Sequence, residues 1–230
     1  MSVLLMQLAG PLQSWGASSR FARRTTEAAP TKSGVIGLLA AAEGRLRTDD
    51  IDDLAALRFG VRIDQRGTLL RDFHTAHHFA GGEAMPVSER FYLSDAVFVA
   101  GVEGEEETVE GLYRALREPV FPLYLGRRSC PPSRPVELGV RHDLTLEEAL
   151  RAEEWRAARW YQRRQRDTVN LEILVEGPGE DTLRDQPLSF DPLHRRYALR
   201  GVRHLPPVRM QVPGAVVRPG HDPMSALESV

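Results

Sequence analysis

Ala96-Val97-Phe98-Val99-Ala100, followed by the run Glu105-Glu106-Glu107-Thr108-Val109-Glu110-Gly111-Leu112-Tyr113-Arg114-Ala115-Leu116-Arg117-Glu118-Pro119, decides the fold class. The first run is apolar without interruption, as in a central strand. In the second, Val109, Leu112, Tyr113 and Leu116 fall at i, i+3, i+4 and i+7, which predicts an amphipathic helix over 105–118. Glu105 to Glu107 complement the positive end of its dipole, Arg114 and Arg117 the negative end, and Pro119 stops it.

Upstream, residues 3–9 read as a buried strand ending at Gly10-Pro11. Thr31 or Ser33 then caps a helix over 33–43 that buries Val35, Ile36, Leu38, Leu39 and Ala42. Its Gly34 and Gly37 permit close backbone approach. A short helix follows near 51–57. Phe59, Val61 and Ile63 alternate with Arg58, Arg62 and Asp64, the period of a half-buried strand. Residues 65–90 hold few core candidates and read as an exposed excursion. Downstream, 146–164 is expected to be a second long helix. Val169, Leu171, Ile173 and Val175 form another alternating strand, and the Pro-rich tail from 205 has little pattern. The order strand, helix, strand, excursion, strand, helix predicts an α+β fold with a ferredoxin-like or RRM-like core in a single domain.

Composition bounds the function classes. With 42% hydrophobic and 27% charged residues in 230, the chain is an ordinary globular one, which excludes disordered and collagen-like classes. Cys130 is the only cysteine, so no intramolecular disulfide forms, in keeping with a cytoplasmic setting. The run Val3-Leu4-Leu5-Met6 is too short for a membrane span or a signal-peptide core. Net charge is −2, so bulk charge does not point to nucleic acid. Lys32 is the only lysine among 30 Lys and Arg residues. A GC-rich genome accounts for that bias, but Arg also provides a planar fork for phosphates and bases.

Five segments carry candidate chemistry. In Gln7–Gly16, a strand end with Gln13 and Trp15 could stack a base and bond its edge, although a core Trp with turn-forming glycines is the competing reading. In Pro30–Gly37, Lys32 and Ser33 at a helix start suit a phosphate, while an ordinary capped helix explains the same residues. It is not a Walker loop, because the spaced glycines before the lysine are absent. In Tyr124–Pro131, Arg127 and Arg128 on a turn framed by Gly126 could grip an RNA backbone through charge-assisted hydrogen bonds. In Arg71–Phe79, His74, His77 and His78 lack the partners of a metal site, and an RNA-contacting hairpin is expected instead. In Trp155–Arg166, arginines surround Trp160 and Tyr161, and pairing along a helix to Glu147, Glu148, Glu153 and Glu154 accounts for most of that charge. No motif calls for a cofactor or a metal.

Taken together, LAGPLQSWG (8–16), PTKSGVIGLLAAAEG (30–44), LLRDFHT (69–75), YLSDAVFVA (92–100) and YLGRRSCPPSRPVELG (124–139) resemble the CasD family. That family is the small RAMP-type subunit of the type I-E CRISPR Cascade complex. RDQPLSF followed by RRYALR (184–200) extends the resemblance, which runs in order over most of residues 3–205; nothing transfers to 146–166. The resemblance implies an RRM-like core with a β-hairpin thumb at about 67–90 and a small C-terminal β element at about 168–212. It implies a non-catalytic subunit that caps the 5′ handle of the guide RNA (crRNA), beside the backbone subunit and the large subunit, meeting target DNA only within the complex.

On that reading Gln13, Trp15, Lys32, Ser33, Tyr124, Arg127, Arg128 and Ser129 would face the handle. His74 and His77 would sit on the thumb, and Arg20, Arg23 and Arg24 would be weaker phosphate contacts. The rival is a metal-independent endoribonuclease that processes repeat RNA, for which His74, His77, His78 and Tyr92 are the available acids and bases.

Overall fold

The computed structural model describes residues 1–17, 23–77, 81–82 and 84–212. In chain order the elements begin with strands β1 (Ser2–Ala9), β2 (Leu12–Gln13) and β3 (Arg23–Arg24), then helices α1 (Lys32–Glu43) and α2 (Asp52–Ala56). Strands β4 (Arg58–Gln65), β5 (Thr68–His74), β6 (Ser88–Ser94) and β7 (Val97–Gly104) follow, then α3 (Glu106–Arg117) and β8 (Glu137–His142). Helices α4 (Leu146–Ala152) and α5 (Arg159–Gln162) precede the long strands β9 (Thr168–Ser189) and β10 (Arg196–Gln211).

The six-stranded sheet has the order β10-β9-β4-β7-β1-β8, and every pairing in it is antiparallel. Four consecutive strands at one side of it, β8-β1-β7-β4, are the fourth, first, third and second strands of two β-α-β units. That is ferredoxin-like topology, with α1 and α3 as the crossover helices. Both helices form as their sequences dictate. Thr31 caps α1 by accepting from the Gly34 N–H, and α3 carries Glu106 and Glu107 in its first turn and Arg114 and Arg117 in its last.

β1 is buried along its whole length because helices cover both faces of the sheet. Leu4, Met6 and Leu8 join α1 and α3 in one core, while Val3 and Leu5 join Leu146, Ala149 and Leu150 of α4 in another. The face that an open RRM sheet would offer to RNA is therefore occupied. This corrects the half-buried reading of β4: Arg62 and Asp64 are 0% and 1% exposed. Arg62 pairs with Asp64 and donates to the carbonyls of Leu150, Glu153 and Glu154 at 2.6–2.7 Å.

The same contacts correct the helix expected over 146–164. A buried guanidinium needs acceptors, and it takes the carbonyls at the end of α4, where Glu153 turns to extended backbone. Residues 153–158 are then stitched to β4. Trp155 Nε1 donates to the Asp64 carbonyl, and the Arg156 and Ala158 N–H groups donate to the Asp64 and Gln65 side chains.

The segment between β4 and β7 forms a β5–β6 hairpin, registered from Thr68↔Ser94 to His74↔Ser88. On its other edge β6 pairs with β2 and then with β3, so the β1–α1 connection is sewn to the hairpin. Among the described residues no helix is long and apolar enough to cross a membrane.

Candidate nucleic-acid groove

The site is built around the return of the chain after β1. Gln13 is wholly buried: its Nε2 donates to the carbonyls of Leu8 (3.0 Å) and Ala96 (2.8 Å), and its Oε1 accepts from Trp15 Nε1 (3.0 Å). Trp15 is 0% exposed and lies under the start of α1, where a Cβ on Gly34 would come within 2.7 Å of the indole. Neither Gln13 nor Trp15 offers a surface to a base, so their expected role as RNA contacts is corrected. They anchor the floor, because an indole N–H and a primary amide buried together must satisfy each other.

Lys32 is corrected for the same kind of reason. It is 2% exposed, and its Nζ donates to both oxygens of Glu176 at 2.9 and 3.1 Å. Burial lowers its pKa. Its backbone N–H, one of the unpaired donors of a helix start, donates to Asp185 at 2.7 Å. Asp185 also takes Arg200 through two 2.8 Å bonds. A carboxylate of the chain itself thus sits at this helix end, where a phosphate was expected.

Above this floor runs the connection from α3 to β8. The N–H groups of Val120 and Phe121 donate to the carbonyls of Ala42 and Ala41, satisfying acceptors in the last turn of α1. The connection then follows α1 back to its N-terminus and tightens into a turn, with Leu125 N–H to the Cys130 carbonyl (2.7 Å) and Cys130 N–H to the Arg127 carbonyl (2.8 Å). Gly126 holds φ +83°, and a Cβ there would lie 1.8 Å from the Ser14 carbonyl oxygen, so only glycine lets this turn approach the Trp15 loop.

A groove of about 760 Å³ remains between these pieces, bordered by Ser14, Ser33, Gly34, Tyr124, Gly126 and Arg128. Phe190, Arg195 and Tyr197 of the β9–β10 hairpin also line it, as does Arg47. The Phe190 and Tyr197 rings are 6.5 Å apart. Burial pushes the Tyr197 phenol up, while the Arg195 and Arg47 charges pull it back. Arg45 is committed to Asp53 and Glu43, whereas Arg47, Arg128 and Arg195 are exposed cations of the rim.

The remaining sequence candidates fall around this groove or away from it. Arg127 stacks on the Tyr92 ring at 4.6 Å and donates to the Arg24 carbonyl at 2.9 Å, tying the turn to the hairpin sheet. Its Nη1 is buried with no acceptor among the described residues. Ser129 is exposed beside buried Cys130. Arg23 and Arg24 are exposed on β3, with Arg23 over the Phe91 ring at 5.3 Å. His74 contacts Asp72 at 2.7 Å, and His77 the Gly82 carbonyl at 3.1 Å. Both lie toward the hairpin tip, with His74 about 20 Å along the strand from Thr68. Arg20 and His78 lie outside the described residues. Among the described residues no three His, Cys, Asp or Glu side chains are grouped to hold a metal ion.

With that geometry in place, the profile of the family described as CRISPR-associated protein (Cas_Cas5) matches residues 3–203. The chain belongs to the Cas5 family. CRISPR system Cascade subunit CasD of Escherichia coli (strain K12) is 35% identical over 159 residues, covering 60% of this chain and 70% of that protein. A crystal structure of a Cas protein superposes with TM-score 0.70 at 39% identity, over 93% of this chain and 97% of that one. A chain of a CRISPR RNA-guided surveillance complex superposes with TM-score 0.74 at 35% identity, over 98% of both.

The sequence reading missed Arg47, Phe190, Arg195 and Tyr197 as members of the Cas5 groove. A signal for three of them was present, since Phe190 ends the RDQPLSF stretch and Arg195 and Tyr197 lie in the RRYALR stretch, both of which carried part of the resemblance.

Proposed function

We propose that this chain is the non-catalytic subunit of a cytoplasmic Cascade-type surveillance complex that holds the 5′ handle of the guide RNA in this groove. One observation carries the reading: a backbone-lined groove at a glycine turn is rimmed by Arg47, Arg128 and Arg195 and walled by two aromatic rings. Single-stranded RNA is recognised through splayed bases on aromatic or guanidinium planes and through backbone amides that approach closely. The Nη1 of Arg127, which has no partner among the described residues, adds a buried donor beside the same turn. The likeness to a Cascade subunit and to a chain of an RNA-guided surveillance complex supports the same assignment.

In this reading the β5–β6 hairpin is the thumb that meets the handle–spacer junction. Its exposed Leu69 and Phe73, with Leu193 and Leu199 of the C-terminal hairpin, suit contacts with the backbone and large subunits. Target DNA is met only within the assembled complex. His74 and His77 stand toward the hairpin tip rather than on the groove, which favours holding RNA over cutting it.

The test is binding of labelled handle RNA by wild type and by the Arg47→Ala, Arg128→Ala, Arg195→Ala triple variant across a salt series. Three lost phosphate contacts should make the log–log salt slope shallower by about 2, at roughly 0.7 per contact on a single strand. An unchanged slope would refute the groove. Site-specific cutting of repeat RNA in EDTA that disappears in His74→Ala or His77→Ala would refute the non-catalytic assignment.

A further inference from the structure

The arginine-rich segment after α4 is not used by the groove, and the break in the expected helix changes what it can do. A continuous helix would have laid Glu147, Glu148, Glu153 and Glu154 against the following arginines. Instead those acids are engaged with Thr145, with arginines of other elements and with Arg156 alone of the arginines that follow. Glu147 pairs with Arg58 and Arg203, Glu148 closes a capping box with Thr145, and Glu153 pairs with Arg141 and Arg156. Glu154 lies 3.8 Å from Arg156. Arg159, Arg163, Arg164 and Arg166 are all exposed, and none pairs with a carboxylate among the described residues.

Two further features adjoin these four charges. Trp160 is 47% exposed, with the Arg164 guanidinium 5.1 Å from its ring centroid. Next to it a pocket of about 300 Å³ is walled by Trp155 and Tyr161 and edged by Gln165, Thr168, Asn170 and Arg66. Acidic groups are few here: Asp167 is exposed, Glu172 is paired with Arg66, and the Asp64 carboxylate is buried against Arg62. The surface follows α4, which packs on the sheet face opposite α1 and the groove.

We propose that residues 159–170 form a second nucleic-acid-binding surface, for a single strand other than the one in the groove. Arg159, Arg163, Arg164 and Arg166 bind successive phosphates through their planar forks. A base stacks on Trp160 as on the aromatic platforms of single-strand binders. A neighbouring base enters the pocket, where the Gln165 and Asn170 amides can bond its edge. An exposed indole and an amide-lined aromatic pocket favour a strand with bases over an acidic peptide, which would use the charges alone.

The test uses the full chain with labelled oligo(U) and oligo(dT) of about 20 nucleotides, read by anisotropy over a salt series. Arg159→Ala, Arg163→Ala, Arg164→Ala and Arg166→Ala together should make the salt slope shallower by about 2–3, at roughly 0.7 per phosphate contact. Trp160→Ala should weaken binding roughly tenfold with the slope unchanged. Should the quadruple variant not fold, the exposed pair Arg163→Gln with Arg164→Gln gives the same readout at about half the size. Preference for oligo(U) assigns the strand to the guide, and equal or better binding of oligo(dT) assigns it to target DNA. Wild-type affinity and slope on both probes in the charge variants would overturn the proposal. The groove triple variant run beside them separates the two surfaces, since each can fail while the other holds.

Discussion

Asp185 is the residue whose removal the structure allows to be costed most closely. Its carboxylate is fully buried, receives two 2.8 Å bonds from Arg200 and takes the first free N–H of α1 at 2.7 Å. Asp185→Ala leaves the Arg200 guanidinium, itself 7% exposed, without its carboxylate, and orphans the Lys32 N–H. Breaking a buried pair from one side costs about 3–5 kcal/mol. At roughly 2–4 °C per kcal/mol for a chain of this size, the melting temperature should fall by about 6–20 °C. Thermal and urea unfolding of the purified chain measure this directly. Adding Arg200→Leu should recover part of the loss, because the stranded charge is then gone and the Phe59 ring beneath it packs against an apolar side chain. Asp185 also fastens the hairpin bearing Phe190, Arg195 and Tyr197 to α1, so handle RNA should bind more weakly in Asp185→Ala. A melting temperature within about 2 °C of wild type would refute the reasoning, since a buried pair cannot be broken that cheaply.

Gly126→Ala should both destabilise the chain and weaken handle binding, because a left-handed φ and a Cβ 1.8 Å from the Ser14 carbonyl force the turn off the Trp15 loop. Melting and RNA titration on that one variant should move together, and a stable variant with normal binding would count against the turn's role. A pH series checks Glu147, whose carboxylate is held below its usual 4.5 chiefly by the hydrogen bond from Arg58, with the Arg58 and Arg203 charges adding to it. A lowered carboxylate pKa stabilises the fold above the ordinary value and loses that contribution as pH falls through the lowered one. The melting temperature of wild type should therefore exceed that of Glu147→Gln at neutral pH, with the gap closing as pH falls below the ordinary carboxylate value.

Residue order alone determined the core. The uninterrupted apolar runs 3–9 and 96–100 are buried on both faces, the helices at 33–43 and 105–118 bury the apolar residues their spacing marks, and the order of these elements is that of a ferredoxin-like fold. The glycines of the groove were legible too, since Gly34 and Gly126 mark close approaches that no other residue allows.

Tertiary structure decided what no local pattern contains. The helix beginning at 146 stops at 152 because Arg62, far away in sequence, claims its carbonyls, and no glycine or proline marks that point. Trp15, Gln13 and Lys32 look like ligand-seeking groups until the fold shows Lys32 spent on Glu176, Gln13 on the Ala96 carbonyl, and the Trp15 indole N–H on the Gln13 amide that this contact fixes. Whether a polar side chain is free to bind anything depends on which acceptors and charges the packed chain brings beside it. Those neighbours arise from contacts across the whole chain, so a residue's own surroundings in sequence do not reveal them.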